Sequence, residues 1–248
     1  MFDFDAIYMI WIRDLIRHFR DRSRLLGSIS RPILWLLIMG TGLRGSFSMP
    51  GVNYLHYIFP GIIAMNLLFA SMMSTISIIW DREFGFLKEI LVAPISRTAI
   101  VMGKTLSGST IAFIEGMFVM IFAPFIHIHL PLLTILLLMP AVFFAAFACT
   151  SLGLAIAARM TSFEGFGVIS NFVIMPMFFL SGAMFPLANL PAVVNHFVLI
   201  NPMTYAVDLL RSITLGLRAY PLWLDLGYIA AFTLAMTAIS VFEFNKVN

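Results

Sequence analysis

The sequence predicts an all-α polytopic membrane protein, and three observations predict it. Hydrophobic residues fill 61% of the 248 positions and charged residues only 11%, whereas soluble domains carry roughly 25% charged residues. Charge-free windows run over 45–80, 116–158, 165–207 and 226–242, and about 20 predominantly apolar residues suffice to cross the hydrocarbon of a bilayer. The basic residues lie outside these windows, and most fall where the chain would emerge on the side of the N-terminus. Such a chain cannot coat a soluble surface, so a water-soluble enzyme is excluded. The net charge of +3 and pI near 9.2 are explained by membrane topology, and nucleic acid is not expected as a partner. Cys149 is the single cysteine, which rules out an internal disulfide and gives no redox motif.

Residues 1–24 come first, and within them Phe4, Tyr8, Trp11, Ile12, Leu15 and Phe19 recur at helical spacing. Arg13, Arg17, Arg20 and Arg24 gather on the other side of the same helix. That pattern predicts an amphipathic helix lying in the membrane interface. The start, Met1-Phe-Asp-Phe-Asp, is acidic and lacks a small-residue cleavage site, so no signal peptide is expected.

Residues 25–248 are read as a six-helix transmembrane domain with spans near 27–47, 54–80, 105–126, 132–158, 165–185 and 222–242. The two 43-residue windows each hold enough chain for two passes, punctuated at Pro124–Pro131 and at Pro186–Pro191. Residues 187–207 are apolar but broken by Pro191 and Pro202, which suits an extracytoplasmic re-entrant hairpin better than a seventh crossing. With six spans, Arg13, Arg17, Arg20, Arg22, Arg24, Arg31, Arg82, Lys88, Arg97, Lys104, Arg159 and Lys246 share the side of the N-terminus, and only Arg44, Arg211 and Arg218 lie opposite. The positive-inside rule then puts both termini in the cytoplasm.

Between the second and third spans, residues 81–95 carry Phe84, Leu87, Ile90 and Leu91 beside Asp81, Arg82, Lys88 and Glu89, and end at Pro94. This is too apolar for a plain loop. A short amphipathic helix on the cytoplasmic side fits either a groove on a partner protein or the lipid surface, and the residues alone leave both open.

Several runs in this order resemble a known family. They are Phe59-Pro-Gly-Ile-Ile-Ala64, Ile79-Trp-Asp-Arg-Glu-Phe-Gly-Phe-Leu-Lys-Glu89, Ala93-Pro-Ile-Ser-Arg97, Leu180-Ser-Gly-Ala183 with Phe185-Pro186, and Asn201-Pro-Met-Thr-Tyr-Ala-Val-Asp208. The chain resembles ABC-2 type exporter permeases, closest to the daunorubicin-resistance and nodulation-factor export permeases. The resemblance implies that residues 1–24 form a connecting helix and that residues 81–95 form a coupling helix seated in an ABC ATPase subunit. Glu83, Phe84, Gly85, Phe86, Leu87, Lys88 and Glu89 would make that contact. It also implies two ATPase copies, a second permease copy (itself or a paralogue), and ATP with Mg2+ held by the ATPase. This chain has no G-x-x-x-x-G-K-[ST] loop to cradle phosphates, so no cofactor is expected on it. The implied work is export across the cytoplasmic (inner) membrane of amphipathic drugs, lipids or lipid-linked saccharides, without catalysis in this chain.

Several polar groups fall inside the expected spans. Glu115 falls near the middle of the third span, where a carboxylate must pair, face a cavity or be protonated. It is read as a pathway contact or a packing lock. Asn66 and Asn171 have the same two readings, and Phe69, Met73, Met175, Phe178 and Phe179 complete the expected lining. Small residues at Ala141, Ala145, Cys149, Gly153 and Ala157, and at Gly108, Ala112 and Gly116, predict close helix packing. His127 and His129 are a weak metal signal in an outer turn. Two rivals remain: a proton-coupled secondary transporter using Glu115, and an intramembrane serine hydrolase using Ser181 and His196.

Overall fold

A computed structural model describes residues 3–42, 53–92, 94–187 and 191–246. The side chains of Arg24, Leu87 and Lys88 lie outside the described set, as do Arg44 and the predicted end of the first span. Among the described residues the regular structure is entirely helical: α1 Phe4–Arg20, α2 Arg22–Gly42, α3 Tyr54–Glu83, α4 Phe86–Val92, α5 Arg97–Met120, α6 Leu132–Ala157, α7 Phe163–Phe179, α8 Ala192–Ile200, α9 Pro202–Leu215 and α10 Leu222–Lys246. A one-turn 3-10 helix at Ala123–Ile126 follows α5.

Local chemistry sets many of these boundaries. Asn53, Ser96 and Ser162 are N-caps whose side-chain oxygens accept the backbone N–H of Leu55, Ala99 and Gly165, satisfying donors that a helix start leaves free. Asn201 caps α9 in the same way, with Pro202 at its first position, where its missing N–H costs nothing.

Among the described residues three helices are long and apolar enough to cross a membrane alone, α3, α6 and α10, and α8 with α9 makes a fourth if that pair, bent by 78°, is one span. Helix α7 is apolar but only 17 residues long, and the apolar part of α2, Leu25–Ile38, is also short. Helix α5 is more polar than a lipid-facing helix because Lys104, Thr105, Ser107, Ser109 and Glu115 are all buried against its neighbours.

Helix α3 is the hub, with 78% of its apolar window buried inside the protein against 22% for α10. It packs on α5, α6, α9 and α2. Small residues let these backbones meet. A Cβ on Gly108 of α5 would stand 2.4 Å from Ser74 Oγ and 2.6 Å from a Thr150 methyl, and one on Gly153 of α6 would stand 2.9 Å from Thr75 Oγ1. The predicted stripes on α5 and α6 are therefore buried seams, Cys149 among them, consistent with small-residue packing between membrane helices.

The predicted hairpin at 187–207 differs in extent. Helix α9 continues to Leu215, where Gly216 ends it at φ +69. The polar stretch Asp208 to Arg211 stays helical because both residues are buried and bonded, a tertiary satisfaction that the apolar window could not reveal.

Candidate coupling site and translocation pathway

The segment after α3 folds as a turn and a short helix. Phe84 N–H bonds Trp80 O at 3.0 Å and Gly85 N–H bonds Arg82 O at 3.2 Å, ending α3 at Glu83. Gly85 has φ +77, a left-handed conformation that other residues adopt only at a cost. Among the described residues no atom beyond its two chain neighbours lies within 4 Å of where its Cβ would stand, so the turn itself requires glycine. Asp81, Arg82 and Glu83 belong to α3, and the amphipathic helix is the shorter α4 that follows.

Helix α4 faces outward. Glu83, Phe84 and Glu89 are exposed, Phe84 at 70%, and Phe86 is 39% exposed. The inner face is pinned by Ile90, which joins Ile10 of α1, Ile78 and Ile79 of α3, Ile100 and Val101 of α5 and Phe244 of α10 in one apolar cluster. Arg13 lies over the Phe86 ring at 4.8 Å and Arg17 over Trp80 at 5.5 Å, and Trp80 stacks on Phe84 at 5.4 Å.

Above this cluster lies an ion network that sequence reading did not find. Lys104 Nζ sits 2.6 Å from Asp81 Oδ2 and 2.9 Å from Asp14 Oδ2. Arg13 reaches Asp81 at 2.9 Å and Asp14 at 2.8 Å, and Arg17 reaches Asp81 at 3.4 Å. Asp14, Asp81 and Lys104 are each at most 5% exposed. Burial opposes ionisation of Asp14, but Lys104 and Arg13 outweigh it and hold the carboxyl below its ordinary value. Burial works against the Arg13 guanidinium too, and Asp14 and Asp81 more than compensate. Helices α1, α3 and α5 are thus tied by paired charges, since unpaired ions could not remain buried.

Helix α1 consequently turns a polar stripe inward. Asp14 and His18 are buried with Ile10 and Leu15, and Trp11 donates to Thr110 Oγ1 at 3.0 Å. Phe4, Tyr8, Met9, Ile16 and Phe19 remain exposed. Arg82 donates to Ala158 O at 2.8 Å and to Met160 O, fastening the end of α3 to the α6–α7 connection.

The expected pathway residues divide into two groups. Asn171, Met175 and Phe179 share the exposed face of α7, and Phe69 and Met73 are half-buried on α3. Phe69 lies under Arg31 at 4.7 Å, and Met73 lines a cavity of about 380 Å³ with Asp14 and His18. Asn66, Glu115 and Phe178 are enclosed within the protein. Glu115 Oε1 is 3.4 Å from His18 Nε2, Phe178 packs edge-on against Trp35 at 6.0 Å, and Asn66 has no partner for either amide atom among the described residues.

The hydrolase constellation does not assemble. Ser181 Oγ donates to Phe178 O at 2.6 Å and accepts from Ala183 N–H, while His196 Nδ1 bonds Ala192 O at 2.7 Å in its own helix. His127 and His129 are exposed, and among the described residues no group of three metal-ligating side chains converges.

One end of an apolar bundle is thus tied by buried ion pairs among α1, α3 and α5, beside a short helix whose outer face is exposed. Residues 5–215 match the family model described as ABC-2 type transporter. The chain is 30% identical to the transport permease ycf38 of Cyanophora paradoxa over 85% of this chain and 74% of that protein. It is 27% identical to nodulation protein J of Rhizobium leguminosarum bv. viciae, over 88% and 85% respectively. Identity to the inner membrane transport permease YadH of Escherichia coli K12 is 24%, over 94% and 92%. The chain belongs to the ABC-2 type transporter family, as a multi-pass membrane permease.

Proposed function

We propose that this chain is the permease subunit of an ATP-driven exporter that moves amphipathic drugs, lipids or lipid-linked saccharides outward across the cytoplasmic (inner) membrane. Helices α2, α3, α5, α6, α7 and α10 are its six spans, with both termini in the cytoplasm, α1 as connecting helix, α4 as coupling helix and α8 with the start of α9 as the re-entrant segment. Two ABC ATPase subunits bind ATP and Mg2+ and seat Glu83, Phe84, Gly85, Phe86, Leu87, Lys88 and Glu89 of two permease copies, identical or paralogous. Asn171, Met175 and Phe179, with Phe69 and Met73, line the pathway between the copies, and Glu115, Asn66 and Phe178 shape it from within each subunit.

The observation that carries this reading is the junction below α3. Phe84 in the turn and Glu89 on α4 are exposed, while Ile90 on the other face of α4 joins the apolar cluster of α1, α3 and α5 and Asp81 at the end of α3 is paired with Lys104 of α5. A displacement imposed on α4 by a closing ATPase therefore reaches three helices at once, as a rigid-body change in access requires.

Purification in mild detergent from the native membrane, followed by mass-spectrometric stoichiometry, tests the partner. One phosphate-loop ATPase per permease is the expected result. Uptake into inverted vesicles tests the energy source, and transport driven by a proton gradient without ATP would overturn the proposal in favour of a proton-coupled carrier.

A further inference from the structure

On the side opposite the N-terminus the sequence places only three cations, Arg44, Arg211 and Arg218. Arg44 lies outside the described residues, and the other two line one cavity of about 410 Å³ between α9, the turn after it and the segment following α7. The positive-inside bias gives no reason for cations on this side, and burying one is costly unless something answers its charge.

Arg211 is 8% exposed. Its guanidinium donates to Gly182 O at 2.8 Å and lies 3.9 Å from the Tyr57 ring centroid, yet its Nε has no partner among the described residues. Asp208 lines the same cavity, but both its oxygens are turned to the backbone, taking the Ala219 N–H at 2.9 and 3.1 Å and the Tyr220 N–H at 2.9 Å. No ion pair joins Asp208 to either arginine among the described residues. The cavity therefore presents two guanidinium groups against one lining carboxylate already occupied by amides, with a second carboxylate, Asp225, fully buried within electrostatic reach of Arg218 and Asp208. Its remaining wall is partly apolar, with Pro186, Leu187 and Leu217, and the exposed Phe197 and Ile200 of α8 extend apolar surface nearby.

We infer that this cavity is an anion-binding site for the phosphate or carboxylate head of an amphiphile, with Arg211 as the buried anchor and Arg218 as the rim contact. A planar guanidinium is suited to oxyanions, and the apolar wall receives the first carbons of the ligand's tail. The inference deepens the export reading by naming the head-group chemistry handled at the outer end, and for its outward placement it rests on that reading.

The test is thermal stabilisation of the full purified chain by phosphatidylglycerol, compared with phosphatidylcholine and with diacylglycerol, in wild type, R218Q, R211K and R211Q. Phosphatidylglycerol should stabilise the wild type selectively, and its apparent affinity should fall about tenfold in R218Q, the loss expected when one charge-assisted hydrogen bond is removed. R218Q changes an exposed side chain and leaves the Gly182 bond intact, so it remains informative even if R211Q fails to fold. Competition by millimolar inorganic phosphate would identify a free oxyanion as a sufficient ligand, and its absence would identify the whole amphiphile. Equal stabilisation by the three lipids, or equal phosphatidylglycerol affinity in wild type, R218Q and R211K, would overturn the inference. The readout needs neither ATP nor transport, so failure of the exporter reading in vesicles leaves it standing, and its own failure leaves the exporter reading untouched.

Discussion

Lys104 of α5 and Asp81 of α3 meet at 2.6 Å with both side chains at most 4% exposed. They hold the last turn of α3 to α5, next to the Arg82 bonds that fasten it to the α6–α7 connection, and Asp14 of α1 shares the same ammonium at 2.9 Å. Removing the lysine takes from two buried carboxylates the one cation buried with them, leaving only the more exposed Arg13 and Arg17 to answer their charge. Lys104→Met should cost about 3–5 kcal/mol, the range for breaking a buried ion pair, seen as a lower unfolding midpoint in detergent. Because the stranded charge causes the loss, Asp81→Asn combined with Lys104→Met should recover part of it. A double variant no more stable than the single one would refute this account.

Phe84 is 70% exposed and touches the chain chiefly through its stack on Trp80. Phe84→Ala should therefore change stability by only about 0.5–1.5 kcal/mol, the worth of one aromatic pair. In the proposed exporter it should lower ATP-driven transport at least about tenfold, equivalent to 1.4 kcal/mol of coupling, and reduce ATPase retained on purification. Glu83→Ala should do the same. Normal transport by both would remove α4 as the docking helix.

Gly61 of α3 lies against the turn after α7, where a Cβ would stand 2.3 Å from Ala183 O. Backbone cannot yield as a side-chain tip can, so Gly61→Ala should destabilise by about 1–3 kcal/mol, as overpacking does. Gly227 has nothing within 4 Å of its would-be Cβ, and Gly227→Ala should be neutral or stabilising by up to about 1 kcal/mol through helix propensity. Thermal unfolding of the two side by side checks the contrast.

Acid should loosen α1. The Asp14 carboxyl is held below its ordinary value of 3.8 by Lys104 and Arg13 against the opposing effect of burial. A group depressed on folding contributes stability that is complete above its unfolded pKa and disappears as pH falls through the folded one. The unfolding midpoint should therefore drop as pH is lowered from about 5 to below 3.8. Asp14→Asn, lacking that titration, should be less stable at neutral pH and show a shallower fall. Parallel curves would assign the acid sensitivity to other groups.

Much of the helix placement was legible along the chain. The expected starts at 54, 132 and 222 coincide with α3, α6 and α10, because Asn53, Pro131 and Pro221 punctuate apolar runs long enough to decide the matter alone. The third span was placed eight residues late, α5 beginning at Arg97. Its first turns are polar, and polar turns read as loop until their partners are known. The sequence reads residues 81–95 as one amphipathic helix with Asp81 on its polar surface, whereas Asp81 lies in the last turn of α3 and is among the most buried charges of the described residues.

Composition and charge placement by themselves determined that this chain is helical and lives in a bilayer, because burial in hydrocarbon depends on runs of contiguous residues and each run carries its own answer. Tertiary structure alone decided which charges are paired. Asp14 of α1 finds Lys104 of α5, and His18 finds Glu115, so α1 buries a polar stripe while Arg17 and Arg20 stay exposed. An ion stays buried only when another of opposite sign arrives from elsewhere in the chain, and no local pattern records where that partner will be.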